Sequence, residues 1–150
     1  MTKPTQWLNQ TYQELVHDSS FMAVIGGNVP QFDEVLDERH DIVCCDGHVN
    51  MIFDRDYRLK TLIFSLSPDS AVCVRYIAAE LTFFNQSTVI HDVLNTLGEP
   101  DEIGKAKKLP GLIKKGWLRY NREFYRITFS IDNSDPDKIA DVRFSASPNN

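Results

Sequence analysis

The side chains best suited by type to chemistry crowd into one short stretch: His40, Cys44, Cys45, Asp46 and His48. Thiol, imidazole and carboxylate are the donors of a zinc site and the parts of a nucleophile–base pair, so both chemistries have to be weighed. Structural zinc sites draw on Cys-x2-4-Cys and His-x3-5-His pairs, because one turn then brings two donors to the same metal. Adjacent cysteines in an extended chain point to opposite faces instead. A nucleophilic pair of Cys44 or Cys45 with His48 or His91 has no recognisable oxyanion or activating environment around it. The cysteines read as small buried apolar residues, and His17 and His91 as ordinary helix residues. Residues 25–30, Ile-Gly-Gly-Asn-Val-Pro, hold neither GxGxxG nor a Walker lysine and so cradle no phosphate. The carboxylate pairs Asp54/Asp56 and Asp135/Asp137 fall in turn sequences, where Asp caps its own backbone. No catalysis, metal or cofactor is expected.

The remaining chemistry is electrostatic. Residues 1–104 carry sixteen Asp/Glu against six Lys/Arg, whereas residues 105–126 carry eight Lys/Arg against Glu123 alone. The formal net charge of −5 therefore conceals two opposed fields. Such fields steer association and select partners without deciding the fold. The acidic patch proper is Asp33, Glu34, Asp37, Glu38 and Asp41, with Asp46 nearby, opposed only by Arg39. These six carboxylates are the expected contact with a cationic protein. Phe32, Tyr57 and Trp117 are the expected aromatic anchors, since aromatic side chains dominate interface energies. The basic stretch interleaves Lys105, Lys107, Lys108, Lys114, Lys115, Arg119, Arg122 and Arg126 with Trp117, Tyr120, Phe124 and Tyr125. That is the composition of a nucleic-acid surface. The chain's pI of about 5.3 argues against that reading, since nucleic-acid-binding domains run above ~9. Pairing of the basic stretch with an acidic surface fits better, on this chain, on a second copy in a homodimer, or on a partner.

The elements that must position these residues follow from periodicity. With 150 residues and 42% hydrophobic content, the chain has the size and apolar mass of one self-sufficient domain. No apolar run reaches the ~18 residues that span a bilayer, and the first residues lack a signal-peptide pattern, so a cytoplasmic protein without a membrane partner is expected. Three cysteines, two of them adjacent, argue against a disulfide framework. Trp7, Leu8, Tyr12, Leu15 and Val16 recur at helical spacing and predict a helix over 5–18, followed by an irregular stretch to 41. From there the period is two. Strands are expected at 42–45 and 48–53 around an Asp46-Gly47 turn, then at 59–66, with strand-like material at 71–76 and 80–84, residues 77–81 reading equally as one helical turn. A helix opens at Ser87 and stops at Gly98 and Pro100, and strands return over 117–145. The fold class is α+β, a single domain with a mostly antiparallel sheet and two main helices. Residues 51–65 and 128–145 both read strand, acidic turn, strand, ending Phe-Ser, which suggests tandem helix-plus-hairpin units at 1–70 and 80–145.

Leu81-Thr82-Phe83-Phe84-Asn85-Gln86-Ser87, running through Val89 and Val93 to Leu97-Gly98-Glu99-Pro100-Asp101, resembles a pattern of small bacterial proteins. In these a strand-like segment and a Ser cap precede a helix ending Leu-Gly-x-Pro, then an aromatic strand and a last hairpin; Trp117, Tyr120 and residues 123–145 occupy those places. Over residues 80–145 the chain resembles the immunity proteins of S-type pyocins and related bacteriocins. The resemblance implies an acidic cytoplasmic protein that binds and silences a cognate nuclease toxin. It transfers no catalytic residue.

Overall fold

The computed structural model describes residues 3–32, 39–66, 70–114 and 116–148. Alternation of apolar and polar residues builds one eight-stranded sheet whose neighbours are all antiparallel. Its strands are β1 (Gln31–Phe32), β2 (Arg39–Cys44), β3 (Val49–Asp54), β4 (Leu59–Ser65), β5 (Glu102–Gly104), β8 (Trp117–Asn121), β9 (Tyr125–Ile131) and β10 (Ile139–Ala146), and β6 (Lys107–Leu109) with β7 (Leu112–Lys114) forms a separate hairpin. Across the sheet the order is β1-β2-β3-β4-β10-β9-β8-β5. Two three-stranded meanders, β2-β3-β4 and β8-β9-β10, thus meet where β4 pairs β10, with Ile63 opposite Arg143.

One face of the sheet is the core. Ile42, Val49, Met51, Phe53, Leu62 and Phe64 from the first meander, and Leu118, Tyr120, Ile127, Phe129, Val142 and Phe144 from the second, are buried on it. Helices cover it: α1 (Tyr12–Leu15), α2 (Ser19–Ile25), α3 (Ala71–Glu80) and α4 (Ile90–Leu97). Tyr76 of α3 stacks on Phe64, Phe21 of α2 meets Trp7 edge-on, and Phe64 meets Phe144 across the seam. Burial of these rings, each worth a few kcal/mol, is the main force holding the layers together.

Four local expectations are corrected. The single helix over 5–18 is a 3-10 turn (Pro4–Trp7), a break at Asn9 with φ +70, and the short α1. The break lets Asn9 N–H donate to Leu59 O, which ties the N-terminus to β4. Thr11 and Glu14 form a reciprocal capping box, and Asp18 then starts α2 inside the stretch expected to be irregular, accepting from the N–H groups of Ser20 and Phe21. Residues 71–76, read as strand-like, lie in α3, which continues through the possible helical turn at 77–81 to Glu80, and residues 81–84, also read as strand-like, form a turn; Cys73 and Ile77, four apart, lie on the buried side of α3. Glu80 at its end accepts from Thr5 N and Oγ1 at 2.9 and 2.6 Å. The helix expected from Ser87 begins at Ile90, where the Asp92 carboxylate reaches back to Val89 N–H, and it stops at Gly98 as expected.

Candidate functional site

The expected contact residues that are described stand at three separate places on the sheet. Strand β1 pairs β2, with Gln31 opposite Asp41 and the Phe32 backbone opposite His40. Asp33, Glu34, Asp37 and Glu38 belong to the connection between those strands and lie outside the described residues. Asp41 is half-buried and bound by both nitrogens of Arg39, each at 2.8 Å, so its charge is locally compensated. Tyr57 stands on the β3–β4 turn with φ +60 and stacks on His40 at 3.9 Å between centroids, nearly parallel. It remains 43% exposed and lines, with Thr11, Tyr12, Gln13 and Asp56, a pocket of about 310 Å³. Tyr57 and Asp41 therefore stand at the same corner, where β1 and β2 end, but on opposite faces of the sheet, since His40 and Asp41 alternate along β2.

Asp46 and Trp117 are elsewhere. Asp46 is exposed in the four-residue loop 45–48 at the far end of β2, some 20 Å along the strand by the usual rise per residue. Positive φ is taken by Cys45 and Asp46 as well as Gly47, so the hairpin closes on Cys44 opposite Val49, one residue earlier than an Asp46-Gly47 turn requires. Trp117 lies on β8, on the other side of the seam. Its indole lies across Gly104 of β5, where an added Cβ would sit 2.1 Å from the ring, and the Arg119 guanidinium covers it at 4.4 Å. It belongs to a second surface that periodicity alone did not single out.

That surface is the sheet face opposite the helices. Val43, Ile52 and Ile63 of the first meander point to it and are half-buried or exposed, Val43 at 53%. From the second meander Arg119, Arg126 and Arg143 form a triangle around Thr128, read from the registers Arg143–Thr128–Arg119 and Ser145–Arg126–Asn121. Asp141, only 6% exposed, holds Arg143 at 3.1 Å, and Arg119 binds Thr128 at 3.2 Å with Glu102 at 3.6 Å. Arg126 has no counter-ion among the described residues. A signal was available in the sequence: each of these six residues stands between two apolar neighbours on its own strand, as an outward position must at period two.

The thiols sit on the core side. Burial pushes the Cys44 thiol up to about 12, reinforced by neighbouring Cys45, and burial pushes Cys73 up to about 11. Both stay protonated at neutral pH, the wrong state for a nucleophile. Among the described residues no group of three or more His, Cys, Asp or Glu is placed to hold a metal ion. Asp54 accepts from the N–H groups of Asp56 and Arg58, and Asp135 from that of Asp137, so these carboxylates stabilise their own turns. No described helix is long and apolar enough to cross a membrane.

No protein-family model matches the chain, and no curated protein matches it. Among solved structures it is similar to a DUF4309 family protein (YjgB) from Bacillus subtilis, at 13% identity and a TM-score of 0.44. That match covers 89% of this chain and 97% of the other. So distant a likeness carries no functional argument.

Proposed function

We propose that the protein works by binding rather than by turnover: an immunity protein that neutralises a cognate basic nuclease toxin of the bacteriocin, pyocin-like kind in the cytoplasm of its bacterial host. The observation that carries this reading is the corner where β1 and β2 end. The connection between those strands carries four carboxylates in six residues, Asp33, Glu34, Asp37 and Glu38, and the exposed Tyr57 ring is stacked there against His40. Charge of that density steers a cationic partner and raises the association rate, while a fixed aromatic ring loses little entropy on contact and lengthens residence. Among the described residues the high thiol pKa values and the turn-bound carboxylates supply no competing catalytic constellation. The Lys-rich segment leaves the sheet at the diagonally opposite corner, where it does not repel a basic toxin docking on Tyr57.

The test is direct. Asp33→Asn, Glu34→Gln, Asp37→Asn and Glu38→Gln together should slow capture of a basic nuclease domain by about tenfold or more in dilute buffer, with a smaller difference at high salt. Tyr57→Ala should act chiefly on dissociation. Unchanged inhibition together with an unchanged capture rate for the amide variant would remove the proposal.

A further inference from the structure

Residue 57 stands where a hairpin of this length ordinarily keeps glycine. Asp54 N–H donates to Arg58 O and Tyr57 N–H to Asp54 O, so residues 55–57 form a three-residue loop whose last member takes φ +60. In such loops the left-handed position suits glycine, and a bulky aromatic residue there is an outlier. Of the four non-glycine residues with positive φ among the described residues, Tyr57 has the largest side chain. That backbone is kept at a position whose side chain stays exposed and lines the pocket formed with Thr11, Tyr12, Gln13 and Asp56.

The pocket is fixed from both sides. Residues 9–12 run alongside 57–59, tied by Tyr12 N–H to Tyr57 O at 2.8 Å, Leu59 N–H to Gln10 O at 2.9 Å and Asn9 N–H to Leu59 O at 2.7 Å. The Tyr12 ring rests edge-on against buried Phe53, and the Tyr57 ring against His40. His40 does not line the pocket, which therefore lies on the sides of the Tyr57 ring that His40 leaves open. Asp56 spends only its N–H on the turn, and its carboxylate has no partner among the described residues. The Glu14 carboxylate sits 2.9 Å from the hydroxyl of the lining residue Thr11, while Arg58 is drawn to Asn9 O at 2.8 Å. We propose that this pocket receives one arginine or lysine side chain of a basic protein, an inference that rests on the partner proposed above. Two aromatic rings attract a cation, and a free carboxylate accepts its N–H groups. Arginine suits the pocket better, because a planar guanidinium can stack on a tyrosine ring while it donates to Asp56.

Titration of the full chain with N-acetyl-arginine amide, followed by NMR of the backbone amides, tests this without any toxin. The arginine probe should shift the amides of residues 11–13, 56 and 57 to saturation, and its uncharged citrulline counterpart at the same concentrations should not. N-acetyl-lysine amide should saturate the same amides more weakly than arginine. Asp56→Asn, at an exposed turn position, and Tyr57→Gly, which the backbone there favours, should each weaken the arginine probe by about threefold or more. Tyr57→Phe keeps the ring and should bind as the parent does. An arginine probe that binds no better than citrulline overturns the proposal. So does one that Asp56→Asn and Tyr57→Gly both leave unchanged. Either result rejects the pocket alone, since the toxin reading is decided by the capture rate of the amide variant; a failure there leaves saturation by arginine, and its loss in Asp56→Asn, as support for the pocket.

Discussion

The two halves of the sheet are built alike and finished differently. In the first, α2 ends at Gly26 and an edge strand, β1, leads to the meander β2-β3-β4; in the second, α4 ends at Gly98 and the edge strand β5 leads to β8-β9-β10. The connection from edge strand to meander is acidic in the first half, with Asp33, Glu34, Asp37 and Glu38. In the second it is basic, with Lys105, Lys107, Lys108, Lys114 and Lys115. What the halves share is apolar and buried. Where they differ is charged and peripheral. The core that closes the β4·β10 seam constrains both halves, whereas connections at the rim are free to acquire opposite fields, which suits a scaffold whose partners are chosen by charge.

If the halves are one folding unit, they must unfold together, and this is where the largest effect is expected. Phe144 is fully buried at the seam and meets Phe64 of the other half edge-on at 6.0 Å. Phe144→Ala should cost about 3–5 kcal/mol. Each half carries one tryptophan, Trp7 and Trp117, so Trp117→Phe and Trp7→Phe backgrounds report the halves separately. Coincident denaturation midpoints in both backgrounds, falling together in Phe144→Ala, are expected of a two-state domain. Separate midpoints would make the halves independent and break the comparison.

A smaller effect probes what is peculiar to the second half. Gly104 is where the Trp117 indole lies against the backbone of the edge strand, so a methyl group there must displace the ring and with it the Arg119 stack. Gly104→Ala should destabilise by about 1–3 kcal/mol through overpacking, with a red shift of Trp117 emission in the Trp7→Phe background. The first half has no counterpart, since β1 is two residues long and carries Gln31 and Phe32.

The meanders were readable because their burial alternates strictly: Val49, Met51 and Phe53 inward, Asn50, Ile52 and Asp54 outward. The Leu97-Gly98-Glu99-Pro100 stop was readable because its cause is local: Gly98 adopts φ +80 with ψ −157, a conformation open only to glycine. The N-terminal helices were misread because tertiary bonds, Asn9 N–H to Leu59 O and Tyr12 N–H to Tyr57 O, cut across an apolar periodicity that is helical in isolation. Residues 71–76 were misread for the opposite reason: Val72, Val74 and Tyr76 carry strand propensity, but burial of Cys73 and Ile77 against the sheet overrides it. The candidate contact residues were legible as composition and not as place. Charge runs and aromatics can be counted in a sequence, but only the pairing order reveals that Asp46 and Trp117 stand far from Tyr57 and Asp41.

The smallest prediction compares how the two halves start their helices. Asp18 accepts from two N–H groups of α2 and also from Trp7 Nε1 at 3.1 Å, so one carboxylate both caps the helix and positions a core indole. At α4 the work is divided: Asp92 reaches back to Val89 N–H, while Asp137 of the β9–β10 turn supplies its carbonyl to Ile90 N–H and its carboxylate to His91 N–H. Loss of a single cap costs about 1 kcal/mol, and a buried donor left unsatisfied adds to it. Asp18→Ala should therefore lower stability by roughly 1–2 kcal/mol, whereas Asp92→Ala, with Asp137 still in place, should cost no more than about half of that. Urea titration of the two variants side by side measures the difference. Equal losses would mean that Trp7 draws nothing from Asp18, or that Asp137 does not substitute for Asp92, and the helix starts of the two halves would then be equivalent after all.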